Sequence, residues 1–490
     1  MRQFAHAAQP TGENGPMGVS RDRSAIVRLG LTALAVAAMA LVLAACGGSG
    51  GSRTTAGATD QTVVVWITED QPDRVAATRA NVADFTRRTG IEVRLRALGE
   101  DDFAGTVVEA RRDGTLPDVL QLPLASVHAY AAAGILDATA AGDVIQRLGD
   151  QTFSQTALSL VSRDGRPAAV PSDGWGQLLI YRKDLFRRAG LAAPRTLQDI
   201  ERAARRLNRP GRLAGITLAT APGQAFTAQS FEHVALASGC QVVDDQRRIR
   251  LTSPPCQNAF RFYVDLARNY SPSGFQDVDA TRDTYFAGKA AMIFWSPFLL
   301  DAMAGLRNDA IPTCPQCRRD PAFLARNSGL VGALAEKDGA PQSQFGELTS
   351  WAITSGRNVD AASRFVEYML SDGYLRWLQI SPQGKYPVRT GDAADAERYV
   401  TAWQGLNSGV ERKAPLRRFY GQASIDALGD GVRNFQRWGF QQGEAPLMGA
   451  LRNQEPITRP LALAIIGTID PVTAARQAQL EVKAVQGHAK

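Results

Sequence analysis

The sequence predicts an α/β protein built on doubly wound sheets, and three observations carry that prediction. Strand-like and helix-like stretches alternate as β-α-β-α-β over residues 62–122, the order of a parallel sheet covered by helices. The chain has 490 residues, long enough for two or more domains. Its hydrophobic fraction of 44% and charged fraction of 21% are those of an ordinary globular protein, which excludes wholesale disorder, collagen and a multi-span membrane protein. The net charge of +7 is small for this length and calls for no nucleic-acid partner.

The N-terminus sets the compartment. Arg21, Arg23 and Arg28 precede an apolar run, Leu29 to Leu43, ending in Leu43-Ala44-Ala45-Cys46. A basic stretch, a short apolar run and small residues before a cut are the parts of a secretory signal. The run is shorter than the roughly 20 residues that span a bilayer as a helix. Its ending resembles the bacterial lipobox, in which the Cys is acylated and becomes the first mature residue; the plainer alternative is a signal cut at Ala45. Residues 1–45 are thus expected to be a lipoprotein signal peptide, with Met17 opening a better-proportioned signal than Met1. Residues 46–60, a lipidated Cys46 and a Gly/Ser-rich tract, are expected to tether the body about 20 Å from the membrane, at roughly 5–6 Å × √n. Removing residues 1–45 takes away four Arg and two acids and leaves a net +5.

Five Cys is an odd number, and Cys46 accounts for the odd one. Cys240, Cys256, Cys314 and Cys317 remain, enough for two disulfides in an oxidising compartment. Of the three possible pairings, the sequence neighbours are favoured. Cys314-Pro-Gln-Cys317 has the spacing of a redox or metal pair. It lies between Ile-Pro-Thr and Arg-Arg-Asp-Pro, however, and reads as a structural disulfide in a loop. With only four His, at positions 6, 128, 233 and 488, a His-rich metal centre is not expected, nor is a cofactor.

In the body, Thr62–Ile67 is a β-branched apolar run, as in a buried strand. Pro72 opens a helical pattern with Val75, Thr78, Val82 and Phe85 on one face, and Gly90 stops it. Ile91, Val93 and Leu95 alternate with charged residues, a helix follows over about 101–112, and a strand over 119–122. A second unit contributes a strand over 178–181 and a helix opened by the capping box Thr196-Leu-Gln-Asp199, with Leu197, Ile200, Ala204 and Leu207 inward. Further helices are expected over about 257–269 and 361–379. The Gly- and Pro-rich stretch 304–346 reads as a long connection.

Several segments, in order, resemble the extracellular solute-binding proteins, family 1, that feed bacterial ABC importers of sugars. They are Pro117-Asp118-Val119 with Tyr130 and Gly134-Ile-Leu-Asp137; Val170-Pro171 with Leu179-Ile-Tyr181-Arg-Lys-Asp-Leu-Phe186, Ala189-Gly-Leu191 and Pro194-Arg-Thr196; Phe286-Ala-Gly-Lys-Ala-Ala-Met292; Phe365-Val-Glu-Tyr-Met-Leu-Ser371; Tyr386-Pro-Val-Arg389; and Gly467-Thr-Ile-Asp-Pro471 with Gln477 to Val482. Arg182 stands where the family usually has Asn, Leu197 replaces a Trp, and the 304–346 connection is long. The resemblance implies a two-lobe periplasmic-binding-protein fold, type II-like, with interleaved doubly wound lobes joined by a hinge. It places lobe 1 at 61–170 and 327–375, and lobe 2 at 171–326 and 376–486. It also implies a monomer on the extracytoplasmic face of the cell membrane that closes on a solute and passes it to ABC permease subunits.

Sugars present apolar C–H faces and a rim of hydroxyls, so their sites combine aromatic rings with carboxylates, amides and Arg. The strand ends and crossings offer Trp66, Glu69, Asp70, Gln121, Asp173, Trp175, Trp295, Glu347, Trp351 and Arg389 as ligand-binding candidates. Trp175, Trp295 and Glu347 are the best placed, while Trp66 could be core and Asp70 a helix cap. Tyr368, Trp377 and Phe262 read as core. A di- or oligosaccharide is the first expectation for the cargo. A glycerophosphodiester, with its phosphate on Arg389 or Arg182, is the second. An enzyme reading finds little support: Glu69 and Asp70 are adjacent and cannot flank a bond, and G-x-S-x-G, H-E-x-x-H, Walker A and dinucleotide motifs are missing. A lipid-anchored scaffold that binds a protein or wall polymer is the remaining alternative.

Overall fold

The computed structural model describes residues 62–488 apart from 164 and 357; the signal, Cys46 and the tether lie outside the described residues. The chain opens with β1 (Thr62–Ile67), α1 (Pro72–Thr89), β2 (Glu92–Ala97), α2 (Glu100–Asp113), β3 (Val119–Pro123) and α3 (Leu124–Ala132). It continues with β4 (Val170–Gly176), β5 (Leu178–Arg182), α4 (Leu197–Leu207), α5 (Ala225–Ala237) and α6 (Pro254–Asp265). After β6 (Met292–Trp295) and β7 (Ser328–Val331) come β8 (Gly346–Ile353), α7 (Val359–Met369), α8 (Tyr374–Gln379) and β9 (Tyr386–Pro387). Among further helices are three near the C-terminus: α9 (Ala445–Gln454), α10 (Thr458–Ile465) and α11 (Pro471–His488).

The expected β-α-β-α-β unit is present, with β1 paired in parallel to both β2 and β3. Helix α1 starts with Pro72 at its first position. It ends at Gly90, whose φ of 73° lets its N–H reach the Thr86 carbonyl. The rest of this six-stranded sheet, ordered β9-β4-β8-β3-β1-β2, departs from a parallel design. Strand β8 is antiparallel to β3 and β4, and β9 is antiparallel to β4. An apolar run reports burial but not direction, because direction is set by where the chain has been between strands.

A second sheet has β5 at its centre, antiparallel to β6 and β7, and residues 214 and 217 join its edge through parallel bridges to Ala290 and Ile293. A single residue, Gln177, separates β4 in the first sheet from β5 in the second. Sheet membership moves the expected crossings. Ser328–Val331, assigned from the sequence to the first lobe, pairs with β5 in the second sheet. Residues 171–176 of β4 and residues 386–387, assigned to the second lobe, lie in the first sheet, and Trp377 and Leu378 pack in that sheet's core. The 304–346 stretch is more structured than a connection, since it holds a short helix, Phe323–Asn327, followed by β7.

Helix α4 carries both capping-box bonds, Asp199 N–H to Thr196 Oγ1 at 3.0 Å and Thr196 N–H to Asp199 Oδ2 at 3.2 Å. Its four expected inward residues are buried. The helix expected over 361–379 is two helices, α7 and α8. The chain turns at Gly373, where a Cβ would fall 2.6 Å from the Tyr368 ring.

Both neighbour disulfides form. Cys240–Cys256 ties the turn after α5 to the first turn of α6, and Cys314–Cys317, both buried, clips an otherwise largely exposed loop. Replacing Cys240 and Cys256 together with Ser is expected to cost about 3 kcal/mol, the chain-entropy value for a loop of roughly 15 residues. Urea unfolding of the variant and the oxidised wild type checks this; coincident curves would remove the bridge from the stability account.

Candidate ligand-binding cleft

A cavity of about 740 Å³ opens between the two sheets. One wall is α2, the end of β3 and the start of α3, with Phe103, Pro123 and Tyr130. The opposite wall is α5, the Arg437-Trp438 segment, α9 and the turn into α10, with Phe231, Trp438, Met448 and Ile457. Helix α9 packs its Gly449 directly on α3, where a Cβ would sit 2.9 Å from the Ala125 carbonyl oxygen and 3.0 Å from the Ala129 methyl. At the floor, Phe345 and Glu347 come from the segment that enters β8.

The floor is a buried charge relay. Arg437 donates to Glu347 Oε2 at 2.9 Å and to Glu232 Oε1 at 3.2 Å, and its guanidinium stacks over the Phe345 ring at 4.7 Å. The other Glu347 oxygen accepts from the backbone N–H groups of Leu124 and Leu348, each at 3.0 Å. Glu232 Oε1 also accepts from Trp438 N–H at 2.9 Å. Burial pushes the Glu232 carboxyl above the usual carboxylate range, against the pull of Arg437. Phe345 is fixed from behind by its N–H, which donates to His233 Nδ1 at 3.2 Å. Burial lowers that imidazole to about 3, so it is neutral.

Of the ten sequence candidates, Glu347 alone lies on the cavity wall. Two stand one layer behind it. Trp175 packs on Phe345 at 5.7 Å between ring centroids, and buried Gln121 accepts from the backbone N–H of the wall residue Thr68 at 2.9 Å. Trp66 is buried behind α2, with the Arg96 guanidinium over its ring. Asp70 is exposed and does not cap α1, whose N-cap position is Gln71. Trp295 packs on Phe226 at 4.4 Å, off the wall.

Four candidates serve the fold. Trp351 is fully buried against Phe365 and Trp377, in the core beneath the first sheet. Glu69 and Asp173 are engaged by the buried Lys385, at 2.5 and 3.7 Å. Arg389 is buried and donates to the Leu148 carbonyl, the Leu370 carbonyl and Thr152 Oγ1. Arg182, the other candidate for a phosphate, is held by Asp184 through two bonds of 2.7 and 2.9 Å.

The sequence reading missed Glu232, Arg437, Trp438 and Phe345. A signal did exist: Phe435, Trp438 and Phe440 cluster around Arg437 within six residues, an aromatic and cationic loop between helices.

Two sheet-bearing bodies, joined by crossing strands and enclosing an aromatic and polar cavity, define a two-lobe solute-binding protein. A family model described as bacterial extracellular solute-binding protein matches residues 68–375. The chain belongs to that family of ABC transporter solute-binding proteins. It is 28% identical over 399 residues to the ABC transporter periplasmic-binding protein YcjN of Escherichia coli K12, covering 78% of this chain and 85% of that one. A solute-binding protein of Thermotoga lettingae bound with α-D-tagatose superposes with a TM-score of 0.66 at 19% identity, covering 87% of this chain and 99% of that one. UgpB of Mycobacterium tuberculosis, in complex with glycerophosphocholine, superposes at 0.65 with 18% identity, covering 87% and 98%. Among the described residues no helix is long and apolar enough to cross a membrane.

Proposed function

We propose that the cleft captures a carbohydrate, a di- or oligosaccharide, by hinge closure and that the protein delivers it to the membrane permease of an ABC importer. The observation that carries this reading is the 740 Å³ cavity with aromatic residues on both walls and a carboxylate–guanidinium floor. That size suits a small-molecule site, and rings with a few fixed polar groups suit the two faces of a sugar. A ligand touching both lobes favours the closed state by its differential affinity for it. The two sheet-bearing bodies are the proposed lobes, with the lipid on Cys46 as the proposed anchor and a monomer as the working unit. No catalysis is proposed.

The tagatose-bound relative supports the carbohydrate reading. The glycerophosphocholine-bound relative favours a phosphodiester instead, but the two arginines considered for its phosphate are committed to Asp184 and to backbone carbonyls. A thermal-shift panel of sugars, polyols and glycerophosphodiesters tests the reading. A cognate sugar at a hundredfold excess over Kd is expected to stabilise by about 2.7 kcal/mol. A panel in which no sugar or polyol moves the melt sinks it. Oligosaccharides incubated with the protein are expected to be recovered uncleaved.

A further inference from the structure

The floor of the cleft holds two carboxylates and one guanidinium. Glu232, Glu347 and Arg437 are each about nine-tenths or more buried, so with both carboxyls ionised the relay carries one negative charge in excess. Among the described residues Arg437 is the one cation on the wall, whereas Glu109 and Glu455 add further carboxylates to it. Glu232 accepts both of its hydrogen bonds from described residues on Oε1. Oε2 of this cavity-lining side chain is therefore the acceptor left for a ligand. Phe103, Tyr130, Phe231 and Trp438 line the same space. A buried excess negative charge is costly unless it is paired, and aromatic faces attract cations most strongly where water is excluded.

The geometry points to a cargo that carries an ammonium group as well as hydroxyls, an amino sugar or amino polyol, with its nitrogen seated at Glu232. A protonated amine donates a charge-assisted bond to Glu232 and cancels the excess charge of the relay. A phosphate or carboxylate on the cargo would add to that excess. This inference rests on the proposed carbohydrate function and narrows it to one charge class.

Matched pairs test it by calorimetry at pH 7 and low salt. The probes are cellobiose, its diamino counterpart (the chitosan disaccharide) and its N-acetylated form, and sorbitol with 1-amino-1-deoxysorbitol. Within a set that binds, the amine is expected to bind about tenfold or more tightly than its neutral partners, with the advantage shrinking in about 0.5 M salt. Glu232→Gln, which keeps an acceptor for Trp438 N–H, is expected to bring that ratio close to one, its melt reporting that it folds. Neutral partners that bind as tightly as the amines in the wild type overturn the inference and leave the carbohydrate reading standing. No binding in either set removes the carbohydrate reading, and the inference with it. The wild-type comparison decides the matter even if the variant does not fold.

Discussion

Replacing Lys385 with Met is expected to destabilise the protein by about 3–5 kcal/mol, the usual cost of removing one partner from a buried ion pair. Lys385 is 1% exposed, with Glu69 at 2.5 Å, Asp173 at 3.7 Å and the Trp377 ring beneath its ammonium at 3.9 Å. These groups come from the loop after β1, from β4, from α8 and from the residue before β9, so one ammonium joins four segments beside the crossings. Burial alone would raise the Glu69 carboxyl, but the charges of Lys385 and Arg74 outweigh it and hold the group at about 2. A folded-state value below the unfolded one means a contribution complete above about pH 4.5 and lost as pH falls towards 2. In the variant, burial acts on Glu69 with only Arg74 opposing it, and on Asp173, whose carboxyl burial already pushes up. Its deficit should therefore be largest near pH 7 and narrow on acidification. Urea midpoints at pH 7 and pH 4 measure this, and equal midpoints for the two proteins at pH 7 would refute it.

Replacing Arg437 with Met is expected to cost a similar amount, about 3–5 kcal/mol, for a different reason. Glu232 and Glu347 would face each other without their shared cation. Like charges each hinder the other's ionisation, so the folded-state value of Glu232, already raised by burial, rises further. A raised carboxylate makes the folded state bind more protons than the unfolded one, so the variant gains stability as pH falls through that raised value. Adding Glu232→Gln should recover part of the loss, because the pair shares one network. Denaturant unfolding of the two single variants and the double variant from pH 5 to 8 reads the coupling. Strict additivity would mean that the relay is not a unit.

How much of this was legible in the sequence differs from element to element. The first five elements follow from apolar periodicity and from Pro72 and Gly90, all local signals. The antiparallel half of the first sheet was not legible, since β8 and β9 return from the other body and nothing in their residues records the direction of travel. Glu347 was found because it lies where the chain re-enters the first sheet. Trp351 is four residues further along the same strand, about 13 Å from that end, which carries it into the core. Arg437 was missed because its meaning comes from Glu232, 205 residues away, and from Glu347, 90 residues away. The loop that holds it has no period to read. Arg389 shows the converse: a cation in a turn that carries part of the family resemblance, yet whose bonds all serve neighbouring backbone and hydroxyl groups.

Strands β9, β4 and β8 lie side by side in the first sheet, and all three stand beside passages of the chain between the bodies. No continuous stretch of the gene therefore encodes either half of the molecule. A protease that nicks the chain at Gln177 leaves the halves tied by the other passages, so a cut product should still migrate as one particle under native conditions. Exchanging one half for a relative's, to transplant its cargo preference, would need splices at every passage at once.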